Sequence, residues 1–334
     1  MTSVDAGQLG RALRRVVVSA RRDGDDAGWQ PAPESRALEL WGQAPHDPLA
    51  RTVVEAEVSA TLLTRSALEH AAEVADAITA RKSWVPHTLG RTAVEHALRA
   101  KHQLDDLASD LTRAARRLNE WMYAIDEAAK LRKGLQQAGH PGSEELPDLE
   151  ADRERVRARA GELGLTISPE GNRVGSEGRA KTINLAERYL AGEHGGAGTG
   201  VPSWLLRRYA AMDHGTETAL LSATAAEAGP AGVTLLVPEA MPVPELAFEL
   251  MAVPLAVINS HRALRHRFEW PASKAATVAR DDQNRLLAIW EEAMTEHLDT
   301  VAPTRPRTGL FTDRPFTQVR SEPHDDAPRP SAQT

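Results

Sequence analysis

The sequence predicts an all-α protein, a multi-helix bundle built on a long-helix hairpin with at most one or two token strands. Three observations carry this. Ala and Leu dominate the apolar positions while aromatics make up only 4% of 334 residues, which suits close-packed helices better than sheets. Apolar residues recur at helical spacing through most of the chain. A single stretch, GVTLLVPE at 232–239, reads as a strand.

The elements follow in order. Residues 5–22 form a first helix, and a loop carrying DGDDAG and QPAPES leads to a short amphipathic piece at 35–41. From Pro48 a long helical pattern runs to about Ser83 and is broken by WVP at 84–86. A second helix spans 87–107, and a third follows almost directly, ending at Gly139 and the turn HPGSEELP. Residues 148–163 make a charged, surface-type helix closed by Gly164, and 166–178 read as an irregular or hairpin-like insertion. A helix at 180–191 precedes the glycine-rich GEHGGAGTGVP. One helix is expected over 203–228, with Ser203 as N-cap. Two helices close the fold, 244–268 with a kink at Pro254 and 273–299. The expected organisation is one domain over about 1–300 with its core hairpin at 48–107. A Pro-, Arg- and Asp-rich tail, 301–334, is expected to be disordered.

Composition narrows the function. The net charge of −7 and pI of about 6.0 give no global field to attract nucleic acid. Cysteine is absent, so disulfides, thiolate chemistry and Cys-ligated zinc are excluded. The longest apolar run, LMAVPLAVI, is about half a membrane span and contains Pro254. A soluble, cytoplasmic protein with no membrane contact is expected.

One hexapeptide is written twice, RSALEH at 65–70 and RTAVEH at 91–96. Each offers an Arg that could hold a phosphate and a His that could move a proton near neutral pH. Helical geometry offers another account. Residues five apart lie roughly 140° apart around a helix axis. Arg91, Glu95, Arg99, His102 and Asp106 then share a polar stripe, and His96 falls in the apolar arc with Ala93, Ala97 and Ala100. In the first copy Arg65, Glu69, Glu73 and Asp76 are the polar face, and His70 sits with Leu63, Ala67, Val74 and Ile78. On this account Arg and Glu form an i,i+4 ion pair and each His faces the core.

The R-x4-H spacing of Arg91 and His96, and of Arg65 and His70, resembles the HEPN (higher eukaryotes and prokaryotes nucleotide-binding) family. That resemblance covers 48–107 and implies a metal-independent ribonuclease in which Arg and His of two subunits meet in a cleft. The family's nucleases usually carry a polar residue such as Asn or Asp after the Arg, where this chain has Ser66 or Thr92. A second resemblance spans roughly 50–270. The order LGRTAVEHALRAKHQLD, a charged helix, then LLRRYAAMDHGTETALL is similar to a group of uncharacterised actinobacterial helical proteins with an R-x3-E helix and a later His-Gly helix. The matching residues are Arg91, Glu95, His214 and Gly215. If the two helices pack together, Arg91, Glu95 and His214 could form a buried polar cluster able to bind a small molecule or phosphate.

Other constellations are weaker. No Glu-x-x-His pair and no HExxH occurs, so no metal or cofactor is expected. GEHGGAGTG lacks the GK[ST] of a phosphate loop. Three basic clusters remain: Arg113, Arg116 and Arg117; Arg153, Arg155, Arg157 and Arg159; and Arg262, Arg265 and Arg267. All three are expected on the surface, the second with internal ion pairs, while the third, which precedes FEW, is an aromatic-basic mix that could touch RNA or a phosphate. The leading reading is a noncatalytic interaction module whose partner is another protein or a second copy joined through the hairpin. The first alternative is the ribonuclease of Arg91 and His96, with RNA as partner. The second is a ligand site at Arg91, Glu95 and His214.

Overall fold

The structure, a computed structural model, describes residues 4–138, 148–169, 173–176, 180–190, 201–214, 224–228, 234–238 and 241–301. The protein is all-α, and among the described residues a two-stranded antiparallel hairpin accompanies eleven helices. In chain order the helices are α1 (Ala6–Asp26), α2 (Arg36–Gln43), α3 (Pro48–Thr79), α4 (Val85–Leu104), α5 (Asp110–Gln137), α6 (Leu149–Glu162), α7 (Thr182–Leu190) and α8 (Val201–Asp213). Strands β1 (Thr224–Ala228) and β2 (Thr234–Pro238) follow, then α9 (Val243–Glu249), α10 (Ala252–Arg267) and α11 (Lys274–Val301).

The sequence signals mark most helix starts. Asp5 closes a capping box with Gln8, Ser35 caps α2, and Ser109 caps α5. Asp47 caps α3, with Pro48 at the position where its missing N–H costs nothing. The long α3, about 48 Å at 1.5 Å per residue, turns back through 80–84 into α4, and this pair packs more extensively than any other. Alanine makes that closeness feasible: Ala67, Ala71, Ala75, Ala93 and Ala97 are all fully buried in the main core. Helix α1 lies against α3 with Gly10 at the crossing. A Cβ there would meet the Thr79 hydroxyl and stand 2.5 Å from the Ala75 carbonyl oxygen. A second core gathers Phe268 and Trp270, with Trp29 and Trp41 packed at its edge.

Three expectations need correction. The segment 203–228 is not one helix: α8 ends at Asp213, and 224–228 pairs with β2, Ala226 opposite Leu236. The composition of TAAEA favours helix, but TLLVP needs a ladder partner. The closing helix breaks at Leu250–Met251, not at Pro254, which sits harmlessly in the first turn of α10. Helix α4 stops at Leu104, short of the expected 107, and Leu107 beyond it is 81% exposed. The tail after residue 301 and Gly215 lie outside the described residues. No single described helix is long and apolar enough to cross a membrane; α9 and α10 pass together by length and composition, bent by 44°.

Candidate functional site

The two hexapeptides meet. His96 Nδ1 lies 3.0 Å from Ser66 Oγ, and the His70 and His96 rings stand edge to face with centroids 5.8 Å apart. The short turn makes α3 and α4 antiparallel, and a register that sets Ser66 level with His96 sets Thr92 level with His70. Both imidazoles are half-buried. Burial, and then the neighbouring His70, hold His96 below the ordinary histidine range, so its ring is neutral at pH 7.

Arg65 does not follow the histidines. Arg65 is exposed and lies over the Trp29 ring at 5.6 Å, while Glu69 pairs with Arg21 on α1 at 3.7 Å. Arg91 is half-buried on α4, one turn before Glu95. Glu95 receives Arg99 at 2.9 and 3.1 Å, and Arg99 also pairs with Glu120 and covers Tyr123. His214 is exposed, directly after α8. Helix α8 does pack on α4, but the contact brings Tyr209 beside Gly90. Of the candidate residues the structure thus brings together His70 and His96. Glu95 goes to Arg99, and Arg65 goes to Trp29.

Larger polar clusters lie where the sequence reading put surface arginines. Glu57 on α3 is fully buried; its Oε1 accepts from Arg267 Nε at 2.7 Å and its Oε2 from Trp41 Nε1 at 2.7 Å. Burial pushes Glu57 above the usual carboxylate range, although Arg267 opposes it. Asp23, 2% exposed, receives Arg265 at 2.8 Å on both oxygens, with His261 at 3.3 Å. Burial alone would raise Asp23, but His261 and Arg265 together hold it below its ordinary value. His87 Nε2 and Glu249 form a buried pair at 2.7 Å beside Arg208.

A fourth cluster centres on Asp105, just past α4. It accepts from Tyr189 Oη and Arg188 at 3.0 Å each and from Arg116 at 3.4 Å. Tyr189 Oη also lies 3.0 Å from His102 Nδ1. Because the tyrosine's single proton serves Asp105, His102 must donate from Nδ1. Burial drives His102 down to about 3, with Arg116 and Arg188 adding to it, so the ring stays neutral. These acids carried a faint signal. Glu57 falls between Val53, Ala56 and Ala60 on the buried side of α3, where an unpaired charge is untenable.

The third basic cluster therefore turns inward in part: Arg265 and Arg267 answer buried acids, and Arg262 Nε donates to Gln283 at 2.9 Å. In the first, Arg113 and Arg116 are buried and Arg117 half-buried. Only the second is the laced surface expected, with Arg153, Arg155, Arg157 and Arg159 paired to acids of α3, α5 and α6. A depression of about 660 Å³ is lined by Arg113, Arg262, Arg265, Arg267 and Trp270, with Asp106, His266 and Glu269. A smaller one of about 370 Å³ lies between α1 and α11. Neither is lined by a hexapeptide residue. Among the described residues no three His, Asp or Glu side chains form a group that could hold a metal ion. No protein-family model, curated protein or solved structure matches this chain.

Proposed function

We propose that this chain is a noncatalytic helical interaction module whose α3–α4 hairpin is its rigid centre. One observation carries the reading: His96 is hydrogen-bonded to Ser66 and packed on His70 inside the hairpin, while Arg65 and Glu95 serve other neighbours. The inward residues of the motif, Ser66, His70 and His96, act as a helix–helix seam. Among the described residues the buried acids Asp23, Glu57, Asp105 and Glu249 are each paired inside the fold, which is the pattern of a scaffold. Val58 and Leu62, one turn apart on α3 and 42% and 59% exposed, give the hairpin an apolar outer face for a protein partner or a second copy.

One observation favours a ribonuclease as the second reading. Two imidazoles from the two motif copies lie side by side, and a neutral His96 could accept a proton. The deciding experiment is cleavage of mixed RNA in EDTA by the wild type, by Arg91→Ala/His96→Ala and by His70→Ala/His96→Ala, each first shown to be folded. The module reading expects no cleavage by any of them. Cleavage by wild type alone overturns it and establishes nuclease chemistry at the paired histidines.

A further inference from the structure

Between Gly7 and Arg22, α1 carries five arginines and no acid, in a chain whose net charge is −7. Two of them, Arg14 and Arg21, reach Asp76 and Glu69 on α3. The other three, Arg11, Arg15 and Arg22, are exposed, and among the described residues no carboxylate lies within 4.0 Å of them. At about 100° per residue these three fall within roughly 40° of one another around the axis. They form a straight stripe about 16 Å long at 1.5 Å per residue, with exposed Val18 between them. The opposite face of α1, Leu9, Leu13, Val16, Val17 and Ala20, is locked into the core, so the stripe is held rigidly outward. Most other arginine clusters here are paired to acids; these three are bordered by Asp5, Glu292 and Asp26 without an ion pair to any of them.

We propose that this stripe is a docking surface for the phosphodiester backbone of a nucleic-acid duplex. It goes beyond the module reading and involves none of the hexapeptide residues, so either can fail alone. Three features favour this occupant. Guanidinium groups in a row neutralise a regular line of phosphates, and a duplex carries one charge per about 1.7 Å. The stripe holds no aromatic side chain on which single-stranded bases could stack: Trp29 lies under Arg65 and donates to Asp25. The apolar face of α1 is buried in the core, which removes the insertion that anchors an amphipathic helix to a membrane. The surface has acidic borders, Glu292 across the depression beside Arg11 and Arg15, and Asp26 beyond Arg22. They confine the contact to about three phosphates and make it modest and strongly salt-dependent. Nothing on the stripe reaches base edges, so binding is sequence-independent.

The test is fluorescence anisotropy of short labelled DNA and RNA duplexes with the full chain, titrated from about 50 to 200 mM salt. The log–log slope should be about −2.7, an affinity loss of about 40-fold across that range. Arg11→Gln/Arg15→Gln/Arg22→Gln should lose at least tenfold at low salt and flatten the slope. The Arg→Lys triple variant should retain binding, and Arg155→Gln/Arg157→Gln on α6 should leave it unchanged. Circular dichroism melts confirm that each variant is folded. Binding to either duplex with these dependences supports the proposal. No duplex binding at low salt, an unchanged isotherm for the Gln triple variant, a tenfold preference for single strands, or binding only to phosphatidylserine-containing vesicles overturns it.

Discussion

Glu57 and Arg267 offer the sharpest test of how this fold is held. The two side chains come from α3 and α10, 210 residues apart in sequence, and meet at 2.7 Å with Glu57 fully buried and the Arg267 side chain 10% exposed. Glu57→Gln keeps the shape but strands a buried guanidinium. Removing one partner of such a pair costs about 3–5 kcal/mol. Asp110, 3.6 Å from Arg267, remains as a second counter-ion and offsets part of the loss. Arg113, itself held below the ordinary arginine range by burial and then by Arg267, adds repulsion. A loss of about 3 kcal/mol is therefore expected, read as a drop in urea midpoint at constant slope.

The double variant Glu57→Leu/Arg267→Met separates the pair from its parts. Burial raises Glu57 despite its partner, so desolvation is not fully repaid by the ion pair. Removing both charges should then cost less than either single change, apart from about 1 kcal/mol for the Trp41 Nε1 left without its acceptor. The cycle should return a coupling of at least about 2 kcal/mol. A Glu57→Gln loss under about 1 kcal/mol, or single effects that simply add, would refute a buried pair that locks α10 to α3.

The remaining predictions follow from single contacts. His102 has a folded pKa of about 3 against an ordinary value of 6.5, so the unfolded chain binds its proton first. Its contribution to stability is intact above pH 6.5 and falls by up to about 1.4 kcal/mol per unit as pH drops toward 3; urea midpoints of His102→Gln should lose that slope. Gly10→Ala should destabilise by about 1–3 kcal/mol despite alanine's better helix propensity, because its Cβ would run into the α3 backbone; an unchanged melting temperature would show that the crossing is looser. Asn119→Ala should cost about 2 kcal/mol by removing bonds of 3.0 and 2.9 Å to the Val174 carbonyl and N–H, measured by thermal melts.

Helix positions were readable because their causes are local. Ser35, Asp47, Ser109 and Asp148 cap helices close to the starts that the periodicity gives, whereas Ser203, the one cap expected, lies inside α8. Partners were not readable. The periodicity of α3 puts Glu57 on a buried face but cannot name Arg267, and nothing near Asp23 points to Arg265, 242 residues away. For the same reason arginines 262, 265 and 267 look like a surface patch until their acids are found. Strand β1 was hidden by a different cause: a tertiary ladder overrode a helix-favouring composition.

The repeated hexapeptide is best understood through the local two-fold relation of an antiparallel hairpin. Two helices crossing at one level present the same inner surface to each other, so a good solution for one side serves the other. The inner positions obey this: Ala67 and Ala93 are both fully buried, and His70 meets His96. The outer positions do not. Glu69 turns to Arg21 on α1 and Glu95 to Arg99 on its own helix, while Arg65 covers Trp29. A catalytic use of the first copy would have to keep Arg65 with His70, since the chemistry needs both at one phosphate, and Arg65 lies over Trp29 instead. A packing motif need keep only what faces inward, and what repeats in space here is the seam.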